Sequence, residues 1–283
     1  MKRILTAALV TAALLLTQSN VALAQDDFTP TAPFKIFDNL YYVGIRSVSA
    51  YVLRTSQGLI LIDATYQESS GEVVKSVQQV GLNPKDIKYV IVTHAHSDHA
   101  AGAPAIQALS GARVGMAEGD WDMYSKGGYR SSQGQNRVFP PMKRDLVIKD
   151  GDTLRLGDTT LKFYVTPGHT PGVTSMEFQV TDQGKSYKAT MFGGTGLNTV
   201  NGVRATEQYI ASVRRMMALP DLQVNLTNHP EGAQIFQRRG RLAARKPGEA
   251  HPYVDPAGFR TYFATLLANA EKKLAAEKAA GRP

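Results

Sequence analysis

The sequence predicts an α/β fold in which two sheets are sandwiched by helices. Three observations carry it. Strand-rich stretches alternate with helical ones in each half of the chain. Histidines and an aspartate gather just after apolar, strand-like runs, where open α/β sheets bind ligands. Residues 25–283 are enough chain for one large α/β domain with a full core.

Taken in order, the polar, proline-containing residues 25–35 read as a loose lead-in. Leu40 to Ile45, Ala50 to Thr55 and Leu59 to Asp63 read as strands, the last two joined by Ser56-Gln57-Gly58. Ser69 to Val80 has helical spacing, with Val73, Val74, Val77 and Val80 on one face and Gly81 as a stop. Tyr89 to Val92 is a short buried strand. Ala103 to Leu109 reads as a helix, Arg113 to Ala117 as a strand and Glu118 to Tyr124 as a short helix. A polar stretch, 125–137, follows. Thr153 to Leu156, Leu161 to Val165, Val173 to Val180, Tyr187 to Phe192 and Leu222 to Leu226 are strand-like. Thr206 to Leu219 and Phe259 to Lys278 read as helices, the second begun by Asp255-Pro256.

The first 24 residues have the pattern of an export signal. Lys2-Arg3 precede a mostly apolar run from Ile4 to Leu16, and Ala22-Leu23-Ala24 has a small-x-small cleavage pattern. That run is too short to span a bilayer, which needs roughly 20 residues. The expected mature chain is periplasmic, or fully secreted, with no membrane attachment. Its formal charge drops from +8 to +6 with the loss of Lys2 and Arg3. The basic excess around Arg214-Arg215 and Arg238 to Lys246 lacks interleaved aromatics, so it reads as a solvated face and not as a nucleic-acid surface. There is no cysteine, which excludes disulfides, thiolate ligands and a cysteine nucleophile.

Residues 93–99 read Thr-His-Ala-His-Ser-Asp-His. Imidazoles with one carboxylate suit zinc, whereas calcium and magnesium prefer oxygen shells. His169 and His229 also follow strand-like runs. Six ligands, His94, His96, Asp98, His99, His169 and His229, divide into two sets of three. Each zinc would then keep an open position, the mark of a catalytic site. His251, in a polar loop before Pro252, reads as a packed or surface residue. Asp63 closes an apolar run, so it is either a partner supporting the metal ligands or a strand-end turn residue. Trp121 either walls a substrate cleft or plugs a local apolar cluster.

The His-x-His-x-Asp-His run, Gly168-His169-Thr170 and His229 resemble the signature of the metallo-β-lactamase superfamily. The resemblance implies a four-layer αβ/βα sandwich with a dinuclear site in the cleft between the sheets. Many hydrolases of that superfamily place a bridging Asp after the strand that here runs into Gly193-Gly194-Thr195-Gly196, where no carboxylate stands. The chain is therefore most similar to subclass B3 β-lactamases, as are Phe139-Pro140-Pro141 and Asp255-Pro256-Ala257-Gly258-Phe259-Arg260. By that resemblance His94, His96 and His169 hold a first zinc, and Asp98, His99 and His229 a second. A metal-activated hydroxide would open a β-lactam antibiotic with no covalent intermediate, and Asp98 would orient it and help move its proton. A monomer acting on a small molecule is expected. Serines that bind the substrate carboxylate in that subclass are replaced by glycines here. Thr195 or Asn198 either compensates or is only a turn residue. The rival reading is an exported metallo-hydrolase of the same fold acting on a lactone or another ester.

Overall fold

The computed structural model describes residues 28–127, 129–130 and 136–281. The expected export signal, 1–24, lies outside them. Seven strands form the first sheet. They are β1 (Phe34–Phe37), β2 (Leu40–Tyr42), β3 (Tyr51–Thr55), β4 (Gly58–Ile62), β5 (Ile87–Ile91), β6 (Arg113–Ala117) and β9 (Leu146–Ile148), in spatial order β1-β2-β3-β4-β5-β6-β9. Between β6 and β9 lies a small ribbon of β7 (Tyr129–Arg130) and β8 (Asn136–Arg137). The second sheet runs in order through β10 (Thr153–Leu156), β11 (Thr159–Val165), β12 (Thr174–Asp182), β13 (Lys185–Phe192) and β14 (Val224–Thr227). The helices are α1 (Ser70–Gln79), α2 (Ser97–Ala100), α3 (Ala103–Ser110), α4 (Glu118–Ser125), α5 (Val203–Met217), α6 (Ile235–Ala243) and α7 (Pro256–Ala279).

Period-two alternation sorts the strands' side chains into layers. In β2 and β3, Tyr41 and Val52 face one way, packing with Val73 and Val77 of α1, Ile106 of α3 and Trp121 of α4. Leu40, Tyr42, Tyr51 and Leu53 face the other way, against Leu161, Phe163, Met176, Phe178 and Met191 of the second sheet. The far side of that sheet presents Tyr164 and Phe192 to Tyr209 and Val213 of α5 and to Phe259 and Phe263 of α7. Three apolar interfaces thus separate four layers, helix–sheet–sheet–helix, as expected. Each fully buried Val, Leu or Phe contributes about 1.5–3 kcal/mol to that docking.

Local signals fix the helix ends. Pro104 opens α3, and Gly111 closes it in the left-handed region at φ 69°. Asp255 caps α7 by accepting from the Gly258 N–H at 2.9 Å, with Pro256 at the first helical position. The parallel pairing of β4, β5 and β6, and of β13 with β14, sends their carboxyl ends in common directions. The loops after β4, β5, β11, β13 and β14 meet at one rim of the two sheets, and the functional side chains stand on them.

Candidate metal centre

The loop after β5 carries four of the six expected ligands. Its entrance is tied to the second sheet, since the Thr174 N–H donates to Thr93 O at 2.7 Å. His94 follows and is 1% exposed. Its Nδ1–H donates to the carbonyl of Gly193 at 2.8 Å. A carbonyl can only accept, so the proton sits on Nδ1 and Nε2 presents a lone pair to the site. His169 repeats the device, with Nδ1 held by Gly196 O at 2.6 Å. His229 does so again, with Nδ1 held by Ser47 O at 3.0 Å.

The ligand atoms converge. His169 Nε2 lies 3.2 Å from His94 Nε2 and 3.1 Å from His96 Nδ1. His94 and His169 both direct lone pairs at this point, which is repulsive unless a cation stands between them. One atom from each of His94, His96 and His169 falls within 4.8 Å of the others, and the same holds for His94, Asp98 and His99. His229 is outside these two groups, yet its Nε2 is 3.5 Å from Asp98 Oδ2. The fold therefore gathers all six residues, which are up to 135 positions apart in sequence (94 to 229).

His99 lies between two carboxylates. Asp63 Oδ2 accepts from its Nδ1–H at 3.0 Å, and Asp98 Oδ2 stands 3.1 Å from its Nε2. That Nε2 is buried and makes no hydrogen bond of proper geometry. Burial lowers the His99 pKa, but Asp98 and Asp63 outweigh it and push it up to about 10. Burial opposes ionisation of Asp98, but the His99 and His229 rings hold it well below the usual carboxylate range. Burial pushes His96 down to about 4 and His169 to about 3, the latter helped by His96. Burial and the neighbouring rings take His94 well below its ordinary value too. These three rings stay neutral at pH 7, the form in which imidazole binds metal.

Asp63, at the end of β4, also accepts from the Thr93 N–H (2.7 Å) and the Thr93 hydroxyl (2.9 Å). It is fully buried and sits in the left-handed region at φ 58°, a conformation Asp tolerates. Three residues unread in the sequence belong to the same support. Asn228 Nδ2 donates to Gly193 O at 2.8 Å, beside the His94 ring. The Thr199 hydroxyl is 3.0 Å from His169 Nδ1. Asp120, in the first turn of α4, is fully buried and accepts from Ala95 N, Thr170 Oγ1 and Gly172 N. Burial pushes its pKa up to about 6 against the pull of those three donors. An acid in a helix's first turn has an ordinary explanation in the helix dipole, so nothing local marks it out.

The glycines after β13 have a steric reason. A Cβ at Gly194 would stand 2.8 Å from the Cβ of His169, and one at Gly196 would stand 3.3 Å from its Cε1. His169 and a Val173 methyl occupy the space a side chain at Gly194 would need, and at Gly196 the nearest obstacle is Asn198 Oδ1 at 2.7 Å. Gly168 is forced as well: its φ is 138°, and a Cβ would meet the Cα of Tyr209 at 2.5 Å. Thr195 sends its carbonyl to the Tyr209 hydroxyl (2.7 Å), its own hydroxyl is 3.4 Å from Asn228 Oδ1, and Asn198 is exposed on the same loop. Trp121 is 3% exposed and packs in the core, its indole N–H donating to Leu146 O at 2.7 Å. The ring plugs the junction of α4 with β9 and also borders a cavity with Tyr124, Phe139 and Arg144. His251 is buried away from the site, stacked on Phe37 at 4.0 Å, with Nε2 on Ile36 O.

Comparison with known proteins agrees with this geometry. Residues 43–182 match the family model described as the metallo-beta-lactamase superfamily. BJP-1, a subclass B3 metallo-beta-lactamase of Bradyrhizobium japonicum, is 34% identical. It superposes with a TM-score of 0.80, covering 89% of this chain and 97% of that one. The chain belongs to the metallo-beta-lactamase superfamily. FEZ-1, the metallo-beta-lactamase of Legionella gormanii, is 26% identical with a TM-score of 0.80, over 88% of this chain and 98% of that one. A hydroxyacylglutathione hydrolase of Cereibacter sphaeroides is 27% identical over 194 residues, 63% of this chain and 67% of that protein. Superfamily membership makes the chain a metallo-hydrolase, and the histidine-rich rim is its candidate metal site.

Proposed function

We propose that the chain is a zinc-dependent β-lactam hydrolase of the B3 type. His94, His96 and His169 would hold one ion, and Asp98, His99 and His229 a second. The observation that carries the reading is the convergence of three neutral imidazoles: Nδ1 of His94 and of His169 is committed to a carbonyl, and His169 Nε2 lies 3.1–3.2 Å from His96 Nδ1 and His94 Nε2. Tetrahedral zinc with bonds of ~2.0–2.1 Å holds its nitrogens about 3.3 Å apart, so the donor set fits. Gly193 to Gly196 offer no side-chain carboxylate between the two sets. When bound, the two ions supply Lewis acidity toward a carbonyl and an acidified water as nucleophile.

The chain's own groups do the rest. Gly193, Gly196 and Ser47 fix three ligand tautomers through their carbonyls. Asp63 keeps the His99 proton on Nδ1. Asp98, 19% exposed, reaches the mouth of the site and lies against His99 and His229 through Oδ2. Its other oxygen, Oδ1, can take the nucleophile's proton and return it to the nitrogen released on ring opening. No serine nucleophile is needed, so no acyl-enzyme forms. The product is the ring-opened amino acid. An N-terminal export signal would place the mature protein in the periplasm as a monomer, where such antibiotics arrive.

A second reading, hydrolysis of a lactone, thioester or other ester, is favoured by the 194-residue similarity to a hydroxyacylglutathione hydrolase and by the glycines that displace serine beside His169. One experiment separates them. Rates on penicillins, cephalosporins, carbapenems, lactones and a glutathione thioester are measured on one sample with its zinc content. Lactam opening lost on chelation and regained with zinc is expected. Folded, zinc-loaded protein inert on every lactam and active on an ester would overturn the assignment.

A further inference from the structure

Asp120 is an acid that neither the metal nor the proposed reaction uses. It stands on α4, an element that carries none of the candidate ligands. Its Oδ2 accepts from the Ala95 N–H at 3.0 Å and from the Thr170 hydroxyl at 2.9 Å. Its Oδ1 accepts from the Gly172 N–H at 2.8 Å. Ala95 lies between His94 and His96, and Thr170 directly follows His169. One carboxylate therefore grips both loops that carry the three-histidine set, and those loops leave different sheets. The contact extends to the backbone: a Cβ on Gly172 would strike the Asp120 backbone N, and one on Gly119 would stand 3.0 Å from Pro171.

Among the described residues Asp120 has no ion pair; backbone and hydroxyl donors alone hold it. Burying a carboxylate is costly unless its lone pairs are filled, and here three donors fill them. An amide cannot substitute. Its single oxygen satisfies one side, and its NH2 then faces either the Gly172 N–H or the Ala95 N–H.

We propose that Asp120 is a positioning residue. By joining the His94–His96 loop to the His169 loop, it sets the spacing of the three imidazoles and so the affinity of that set for its metal. Asp63 bonds His99 and Thr93, the residue before His94, and makes no bond to the His169 loop, whereas Asp120 bonds that loop and makes no bond to His99. The inference rests on the metal reading of the site and not on the lactam reading.

The test reads zinc binding and not turnover. His229→Ala isolates the three-histidine set, and Asp120→Asn and Thr170→Val are each placed in that background. Zinc affinity is taken by competition with a chromophoric chelator, the cobalt absorption spectrum reports ligand geometry, and melting of the metal-free protein reports fold. Asp120→Asn is expected to weaken zinc binding 10–100-fold, the range for groups that orient metal ligands, and to shift the cobalt bands. Thr170→Val removes one of the three donors and keeps the carboxylate, so a smaller loss of roughly three- to tenfold is expected. A lower melting temperature with unchanged zinc affinity and cobalt spectrum would show a purely structural role and overturn the proposal. Should Asp120→Asn fail to fold, Thr170→Val decides alone, and wild-type affinity there overturns it. An unmutated protein that takes up no zinc would sink the metal reading and this inference together, whereas a zinc-binding protein inert on lactams leaves the inference standing.

Discussion

Replacing Asp63 separates two tasks of one carboxylate. Its Oδ1 satisfies the Thr93 N–H, and its Oδ2 accepts from the Thr93 hydroxyl and the His99 Nδ1–H. Asparagine keeps one acceptor. With its oxygen at the Thr93 N–H, its NH2 faces the Thr93 hydroxyl, which can turn to accept, and His99 Nδ1, which accepts only by surrendering its proton. His99 must then carry hydrogen on Nε2, the atom beside Asp98, and that closes it as a ligand. Asp63→Asn should fold with a loss of about 1.5–3 kcal/mol in the metal-free state, the worth of a hydrogen bond to a charged group. Its affinity for the second metal should fall ~10–100-fold. Asp63→Ala also orphans the buried Thr93 N–H, adding about 1–3 kcal/mol, so its total loss is about 2.5–6 kcal/mol. Urea unfolding of the chelated proteins at pH 7 measures the first quantity, and zinc titration of the same samples the second. Asp63→Asn that binds two metals as tightly as the parent would refute the tautomer argument. Asp63→Ala destabilised by less than ~1 kcal/mol would refute the account of the buried bonds.

Three further outcomes are expected. His229→Ala should lose the second metal and keep the first, as metal analysis after dialysis will show; equal loss of both contradicts the division of ligands. Gly194→Ala pushes a methyl against the His169 Cβ, 2.8 Å away, and should lower zinc content at the three-histidine set even if the fold survives, which circular dichroism checks. The metal-free protein should be most stable near pH 6.5. His96 and His169 titrate at about 4 and 3 when folded and near 6.5 when unfolded. The unfolded chain therefore binds more protons between those values, and stability falls as pH drops through that window. His99, raised to about 10, contributes stability fully below pH ~6.5 that is lost as pH climbs toward 10. Urea midpoints from pH 4 to 10 give the curve, and a flat one contradicts the proton bookkeeping.

Much of the fold was legible because strands betray themselves by alternation. Arg113–Ala117 and Thr153–Leu156 stand where the sequence puts them, and α1, α3 and α5 differ by a few residues at their ends. What was not legible has physical causes. β1 hides in a proline-containing lead-in, and β9 has three residues, too few to show a period. α6 carries Arg238, Arg239 and Arg241, whose charge density in sequence predicts a solvated basic face; yet Arg238 is buried, bonding Pro252 O and Asp255. At the rim, the metal-binding residue types were readable from their density. Asp120 and Asn228 were not. Their partners lie 25–52 and 35 positions away, and a bond that spans such distances leaves no local pattern.

The candidate ligands are drawn from both sheets: four follow β5 of the first, and His169 and His229 follow β11 and β14 of the second. Neither half of the chain owns a complete coordination sphere. An ion bound there clamps the sheets like a rivet through two plates, and it must prefer the closed molecule over any state in which the plates have parted. Metal supply would then govern how long the protein survives as well as how fast it works.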